Sequence, residues 1–290
     1  MPPDQAIYKF AGVRHRLAQG ALHTAIICSA VSLWLWHLGD TAAAQPIAHK
    51  YGWFFNYMTF VTLSLQLLHY LTALPADLLP GLPVQWHRFV DDFGCALFGP
   101  VLFVTLSYYG IQCLPLDPLY GDDYQVMHLF HPRQPACYAN NICVPPWVPL
   151  GLHTGNSIVA VVDLLVCIKH RTFRRQAKIG QHVITVGYVI WLLICKFHTG
   201  RFPYPFMEQL PLPSGFGLVS VFMITSCELL FGFGRRVHIV HYQTSQNSAD
   251  GNSDHQDQQE GQRSPSSSAT RAARQTPVDS SSAAGNDVSS

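Results

Sequence analysis

Apolar residues along this chain gather into six long runs separated by short polar stretches: Ala21 to Leu38, Trp53 to Leu74, Phe93 to Gln112, Pro146 to Ile168, Gly180 to Phe197 and Gly215 to Phe233. Each run approaches the roughly 20 helical residues that cross about 30 Å of hydrocarbon. The pattern predicts an all-α fold, a polytopic membrane protein with six transmembrane helices. Composition agrees, with 48% hydrophobic and only 12% charged residues. That is about half the charge of an ordinary soluble domain, and most of it falls between the runs.

The basic residues set the expected orientation, because short loops rich in Lys and Arg stay cytoplasmic. One alternate set of segments holds eleven: Lys9, Arg14, Arg16, Arg88, Lys169, Arg171, Arg174, Arg175, Lys178, Arg235 and Arg236. The other holds four, Lys50, Arg133, Lys196 and Arg201. Both termini are therefore expected in the cytoplasm and the loop from Cys113 to Pro145 outside it. The start of the chain also has the features of a cleavable signal, a basic segment and an apolar run followed by Ala42, Ala43 and Ala44. Its run of about 18 residues exceeds the 7 to 15 of a signal core, so it is read as a span.

Beyond Tyr242 the chain has no aromatic residue, and Ser and Gln dominate. Such a segment buries too little apolar surface to offset its ordering entropy. The expected organisation is a membrane domain over residues 1–242 and a disordered cytoplasmic tail over 243–290. Cys28, Cys95, Cys167, Cys195 and Cys227 lie in spans and are read as small apolar residues. Cys113, Cys137 and Cys143 fall in or beside the outer loop, where one disulfide is expected and its pairing stays open. Their spacing fits no zinc pattern.

Ionisable groups within spans are costly and mark candidate sites. His23, His37, His69 and His198 lie near run ends, where an imidazole reaches water or headgroups. His153 lies six residues after Trp147 and precedes Thr154, and Thr59 lies six residues after Trp53. Counted as helix, both sit about 9 Å below the same face, so a hydroxyl nucleophile and a base are expected to meet inside the bilayer.

Three segments resemble the androgen-induced protein and androgen-dependent tissue-factor-pathway-inhibitor regulator family. They are Tyr57-Met58-Thr59-Phe60, the stretch from Trp147 through His153-Thr154, and Gly187-Tyr188-Val189-Ile190-Trp191 continuing through His198-Thr199-Gly200 to Tyr204-Pro205-Phe206-Met207-Glu208. The resemblance implies a six-span hydrolase of fatty acid esters of hydroxy fatty acids, with Thr59 as nucleophile and His153 as the essential histidine. Two departures stand out. Thr62 occupies a position where an aspartate is expected, and Val148-Pro149-Leu150 replaces a polar pair before His153.

The chemistry implied is acyl transfer through a covalent acyl-threonine, with Asn156, Ser157 or His198 as auxiliary oxyanion donors. Lys50, Lys196 or Arg201 would meet a substrate carboxylate. No cofactor, metal or nucleic acid is called for. The expected partners are the membrane and a lipid ester entering from it, and the expected location is the endoplasmic reticulum or plasma membrane. Two other readings remain: a transmembrane haem protein using paired histidines, and a non-catalytic membrane regulator.

Overall fold

The computed structural model describes residues 13–79, 81–112, 136–137, 143–166, 172–208 and 210–262. Six long helices follow one another: α1 Val13–Leu38, α2 Met58–Leu78, α3 Val84–Gln112, α4 Trp147–Val166, α5 Arg175–Thr199 and α6 Ser214–Gln262. The described residues add a short helix, Asp40–Ala43, three 3-10 turns, Pro46–His49, Trp53–Asn56 and Pro205–Glu208, and a two-residue antiparallel ladder, Ala136–Cys137 with Cys143–Val144, in which Cys137 stands opposite Cys143. The chain divides into two units, residues 1–244 and 245–290. The tail expected from residue 243 enters the described residues only as far as Gln262, as helix; residues 263–290 lie outside them.

Among the described residues, five helices are long and apolar enough to cross a membrane: His15–Leu38, Val84–Gly110, Trp147–Val166, Arg175–Thr199 and Ser214–Val240. Their outward residues include Leu218, Phe222, Leu229, Val183 and Phe197, the last 86% exposed. Apolar surface on that scale is unfavourable in water and needs a hydrocarbon neighbour. Helix α2 is the exception to the expected six. Its 21 residues span about 30 Å, but Thr59, Thr62, Gln66 and His69 make it too polar to qualify. All four are buried, because this polar stripe faces other helices and not lipid. Packing follows suit: α2 lies against α1 and α3, and α3 also packs on α5.

Boundaries shift where helix and hydropathy part company. Helix α3 begins at Val84, nine residues before its apolar run, and takes Asp91 and Asp92 into its first turns. Helix α2 begins five residues late, since the aromatic stretch Trp53–Asn56 forms a 3-10 turn. At Gly99 the bundle closes tightly. A Cβ there would stand 2.5 Å from Gln181 Oε1 and 2.6 Å from the Cys227 carbonyl, so α3 needs a glycine to approach α5 and α6.

Among the described residues three larger apolar clusters and a small one, Val144 with Val148, fill the interior. Ala30, Leu33, Phe54, Phe60 and Leu63 pack with Leu152 where α2 and α4 begin. Met58, Val104, Tyr188, Leu192, Met223 and Cys227 join the start of α2 to α3, α5 and α6. Cys95, Phe98, Leu164, Phe173, Ala177 and Phe231 close the other end.

Candidate functional site

Thr59 is placed by an abrupt start to α2. Gly52, at φ +86°, turns the chain in a conformation that suits glycine. The 3-10 turn Trp53–Asn56 follows, Tyr57 is extended (φ −101°, ψ 131°), and the helix starts at Met58. Asn56 Nδ2 donates to the carbonyls of Tyr51 (2.7 Å) and Trp53 (2.9 Å), holding the turn together. Phe60 and Val61 N–H both donate to the Tyr57 carbonyl. Thr59 is thus the second residue of α2 and is buried. Thr62, at the position of the expected aspartate, is fully buried and donates to the Thr59 carbonyl at 3.0 Å.

His153 lies in a π-helical turn, Leu150–Gly155, inside α4. Pro149 precedes that turn; it has no N–H to give to a helical ladder, and local π geometry absorbs such irregularities. The His153 ring stacks flat on Tyr108 of α3, with centroids 3.5 Å apart and planes 7° from parallel. Its carbonyl accepts from Thr105, whose hydroxyl also lies 2.5 Å from Ser157 Oγ. The next hydroxyl, of Thr154, hydrogen-bonds with Tyr109. Nδ1 of His153 is buried with no hydrogen-bond partner. A buried ring nitrogen left open in this way costs stability and calls for a functional explanation.

The two residues share one end of the bundle. Gln66 Nε2 donates to the Asn156 carbonyl at 3.1 Å, and Leu152 packs against the cluster that includes Phe60 and Leu63. The equal depth expected from the sequence counted Trp53 to Thr59 as helix, and the 3-10 turn removes that premise. Among the described residues no hydrogen bond joins Thr59 to His153.

The auxiliary candidates are largely occupied. Asn156 Nδ2 donates to the Leu152 carbonyl (2.8 Å), and Ser157 Oγ donates to the Val101 carbonyl (3.2 Å). His198 is exposed and stacks on Tyr51 with centroids 4.1 Å apart. Lys196 Nζ lies 2.7 Å from both carboxylate oxygens of Glu208 and over the Phe202 ring. Burial works to raise the Glu208 carboxyl, but the Lys196 hydrogen bond and the Phe202 N–H outweigh it and hold the carboxyl below its usual range. Lys50 and Arg201 are exposed.

A second polar group escaped the sequence reading. His23 and His69, expected near headgroups, are both 2% exposed. His23 Nδ1 lies 2.5 Å from Asp77 Oδ2, and its Nε2 lies 2.9 Å from Asp163 Oδ1. His69 Nε2 is 3.9 Å from Asp163 Oδ2. With a carboxylate at each ring nitrogen, His23 is either an imidazolium or the partner of a protonated acid. His37 is also buried, 2.7 Å from the Leu33 carbonyl among aromatic rings. For His23 and His69 neighbouring helices supply the partner that water was expected to supply, and for His37 its own helix does.

A bundle of apolar helices enclosing polar side chains defines an integral, multi-pass membrane protein. The profile of the FAR-17a/AIG1-like protein family matches residues 20–238, three-quarters of the chain. The protein belongs to this family, as its three motif segments led one to expect. No curated protein and no solved structure matches it.

Proposed function

We propose that the chain is an intramembrane threonine hydrolase of lipid esters, most specifically fatty acid esters of hydroxy fatty acids. The observation that carries the reading is His153, whose half-buried ring stacks on Tyr108 and keeps a buried Nδ1 open, beside the helix whose second residue is Thr59. Family membership and the lipid-facing apolar surface support it.

In the first half-reaction Thr59 Oγ1 bonds to the ester carbonyl carbon as its proton passes to His153, directly or through one water. With no hydrogen bond between the two side chains, the proton passes through one water or after a tightening when substrate binds. The carbonyl oxygen becomes the oxyanion. Since Asn156 and Ser157 are committed elsewhere, the Thr59 N–H, one of the first four amides of α2, is the donor at hand. Collapse breaks the bond to the hydroxy fatty acid, whose oxygen takes the proton from His153. Water then repeats the sequence on the acyl-threonine, releasing the fatty acid and restoring both residues.

The ester arrives from the bilayer, and Arg201 is the cation for its carboxylate, because Lys196 is held by Glu208. Both termini lie in the cytoplasm, α2 is a sixth crossing shielded by its neighbours, and the membrane is that of the endoplasmic reticulum or the cell surface. The haem alternative fits less well. His23 has carboxylates at both ring nitrogens, and His37 is engaged with Leu33. A regulator without catalysis would leave the open nitrogen of His153 without a purpose.

The test is hydrolysis by liposome-reconstituted protein, with both products followed by mass spectrometry. Thr59→Ser keeps the hydroxyl and should retain turnover, whereas Thr59→Ala and His153→Ala should each lose nearly all of it. Full turnover in either alanine variant removes that residue from the mechanism.

A further inference from the structure

Tyr188, Trp191 and Tyr204 belong to the longest motif segment, yet the hydrolytic scheme gives them nothing to do. All three reach across from α5 and the turn after it to the backbone just before Thr59. Trp191 Nε1–H donates to the Phe55 carbonyl at 2.9 Å, and Tyr188 O–H donates to the Asn56 carbonyl at 2.8 Å. Met58 N–H donates to the Tyr204 hydroxyl at 3.2 Å, and the two tyrosine oxygens are 3.0 Å apart.

Donor counting gives these bonds a direction. Each phenol has one hydrogen. Tyr188 gives its hydrogen to Asn56, so the hydrogen between the phenols comes from Tyr204. The chain therefore runs Met58 N–H to Tyr204 O–H to Tyr188 O–H to the Asn56 carbonyl, each link polarising the next. It closes a ring across Tyr57, the one extended residue between the 3-10 turn and α2. Burial raises the Tyr204 hydroxyl above its ordinary value, so it stays protonated as the relay requires.

We propose that Tyr188 and Tyr204, with Trp191, are positioning residues that fix the first turn of α2 and hence the direction of the Thr59 hydroxyl and N–H. The proposal rests on the reading of Thr59 as nucleophile. The junction is also held locally, by Asn56 and by the Tyr57 carbonyl, and by Trp34 of α1, whose ring packs on Trp53, Phe55 and Phe60; the relay adds hydrogen bonds to the backbone on either side of Tyr57. Without the relay the backbone at Tyr57 regains rotational freedom, and a displacement of about 1 Å at a reacting group costs up to about a hundredfold in rate.

The experiment uses the full chain in detergent, an alkyl fluorophosphonate probe, and the variants Tyr188→Phe, Tyr204→Phe and Trp191→Phe. Trp86→Phe serves as control, since Trp86 donates to the Thr72 carbonyl towards the other end of α2. Hydrogen–deuterium exchange at residues 55–61 is measured beside the rate of covalent labelling. The expected result is local loosening of that peptide and labelling slowed about tenfold to a hundredfold in the two tyrosine variants, with reversible substrate binding and the control unchanged. Trp191→Phe, which removes an anchor outside the relay, should give the same pattern more weakly, and it keeps the test open if a tyrosine variant does not fold. Wild-type labelling at Thr59 with equal rates in the variants overturns the positioning role. A wild type that never labels at Thr59 overturns the nucleophile reading itself, and the catalytic purpose of the relay with it.

Discussion

Replacing His23 with alanine should be among the most destabilising single changes in this protein. The side chain is 2% exposed and stands between Asp77 and Asp163, which are 12% and 7% exposed. Removing it leaves two carboxylates in a space with little water, and breaking a buried pair by deleting one partner costs about 3 to 5 kcal/mol. At roughly 2 to 4 °C per kcal/mol for a protein of this size, the thermal midpoint should fall by about 6 to 20 °C. The assay is the thermal unfolding of detergent-solubilised protein at neutral pH. The double variant His23→Leu with Asp163→Leu should lose less than the sum of its single changes, because it removes the stranded charge together with its partner. A His23→Ala midpoint within about 1 °C of wild type would refute the reasoning, since an ion pair in water is worth only about 0 to 1 kcal/mol.

Three further outcomes follow from other parts of the molecule. The Glu208 carboxyl is held below its usual value, so its contribution to stability is present above the ordinary carboxylate range and is lost as pH falls through the depressed value. Glu208→Gln should therefore lower the midpoint at neutral pH and converge on wild type in acid; equal curves at every pH would remove the Lys196–Glu208 pair from the account. The register that sets Cys137 opposite Cys143 predicts a disulfide between them, visible by non-reducing peptide mapping. Replacing both with Ser should cost about 2 kcal/mol and leave labelling of Thr59 intact, whereas loss of labelling in a folded double variant would bring the outer loop into the site. Protease added to intact cytoplasmic-side-out vesicles should remove the segment after Tyr242, and a protected segment would reverse the orientation.

The helices were legible because lipid exposure imposes long apolar runs, and α1, α4 and α5 fall close to theirs. Helix α2 was harder to place. Trp53, Phe54 and Phe55 extend its apolar run, but Gly52 and Asn56 make them a turn, and this local geometry carried the depth of Thr59 with it. The Phe93 boundary of α3 failed for the opposite reason: Asp91 and Asp92 end the apolar run without ending the helix. Of the site, Thr59 and His153 were recognisable by type and motif. Tyr108 and Tyr188 carry no legible role, since aromatic residues in a span look like any other lipid contact, and Tyr204 lies in a turn whose packing on the start of α2 the sequence does not reveal. The His23 network was illegible for a simpler reason. Its aspartates lie 54 and 140 residues away, and only the packing of α1, α2 and α4 brings them together.

The central claim is that Thr59 is a nucleophile activated by His153, and a covalent adduct tests it most directly. Wild-type protein treated with an alkyl fluorophosphonate, digested and sequenced by mass spectrometry should carry the phosphonate on Thr59. The adduct should vanish in Thr59→Ala, persist on the substituted serine in Thr59→Ser, and form far more slowly in His153→Ala. An adduct on any other residue, or one that forms on Thr59 at the wild-type rate without His153, would contradict the account.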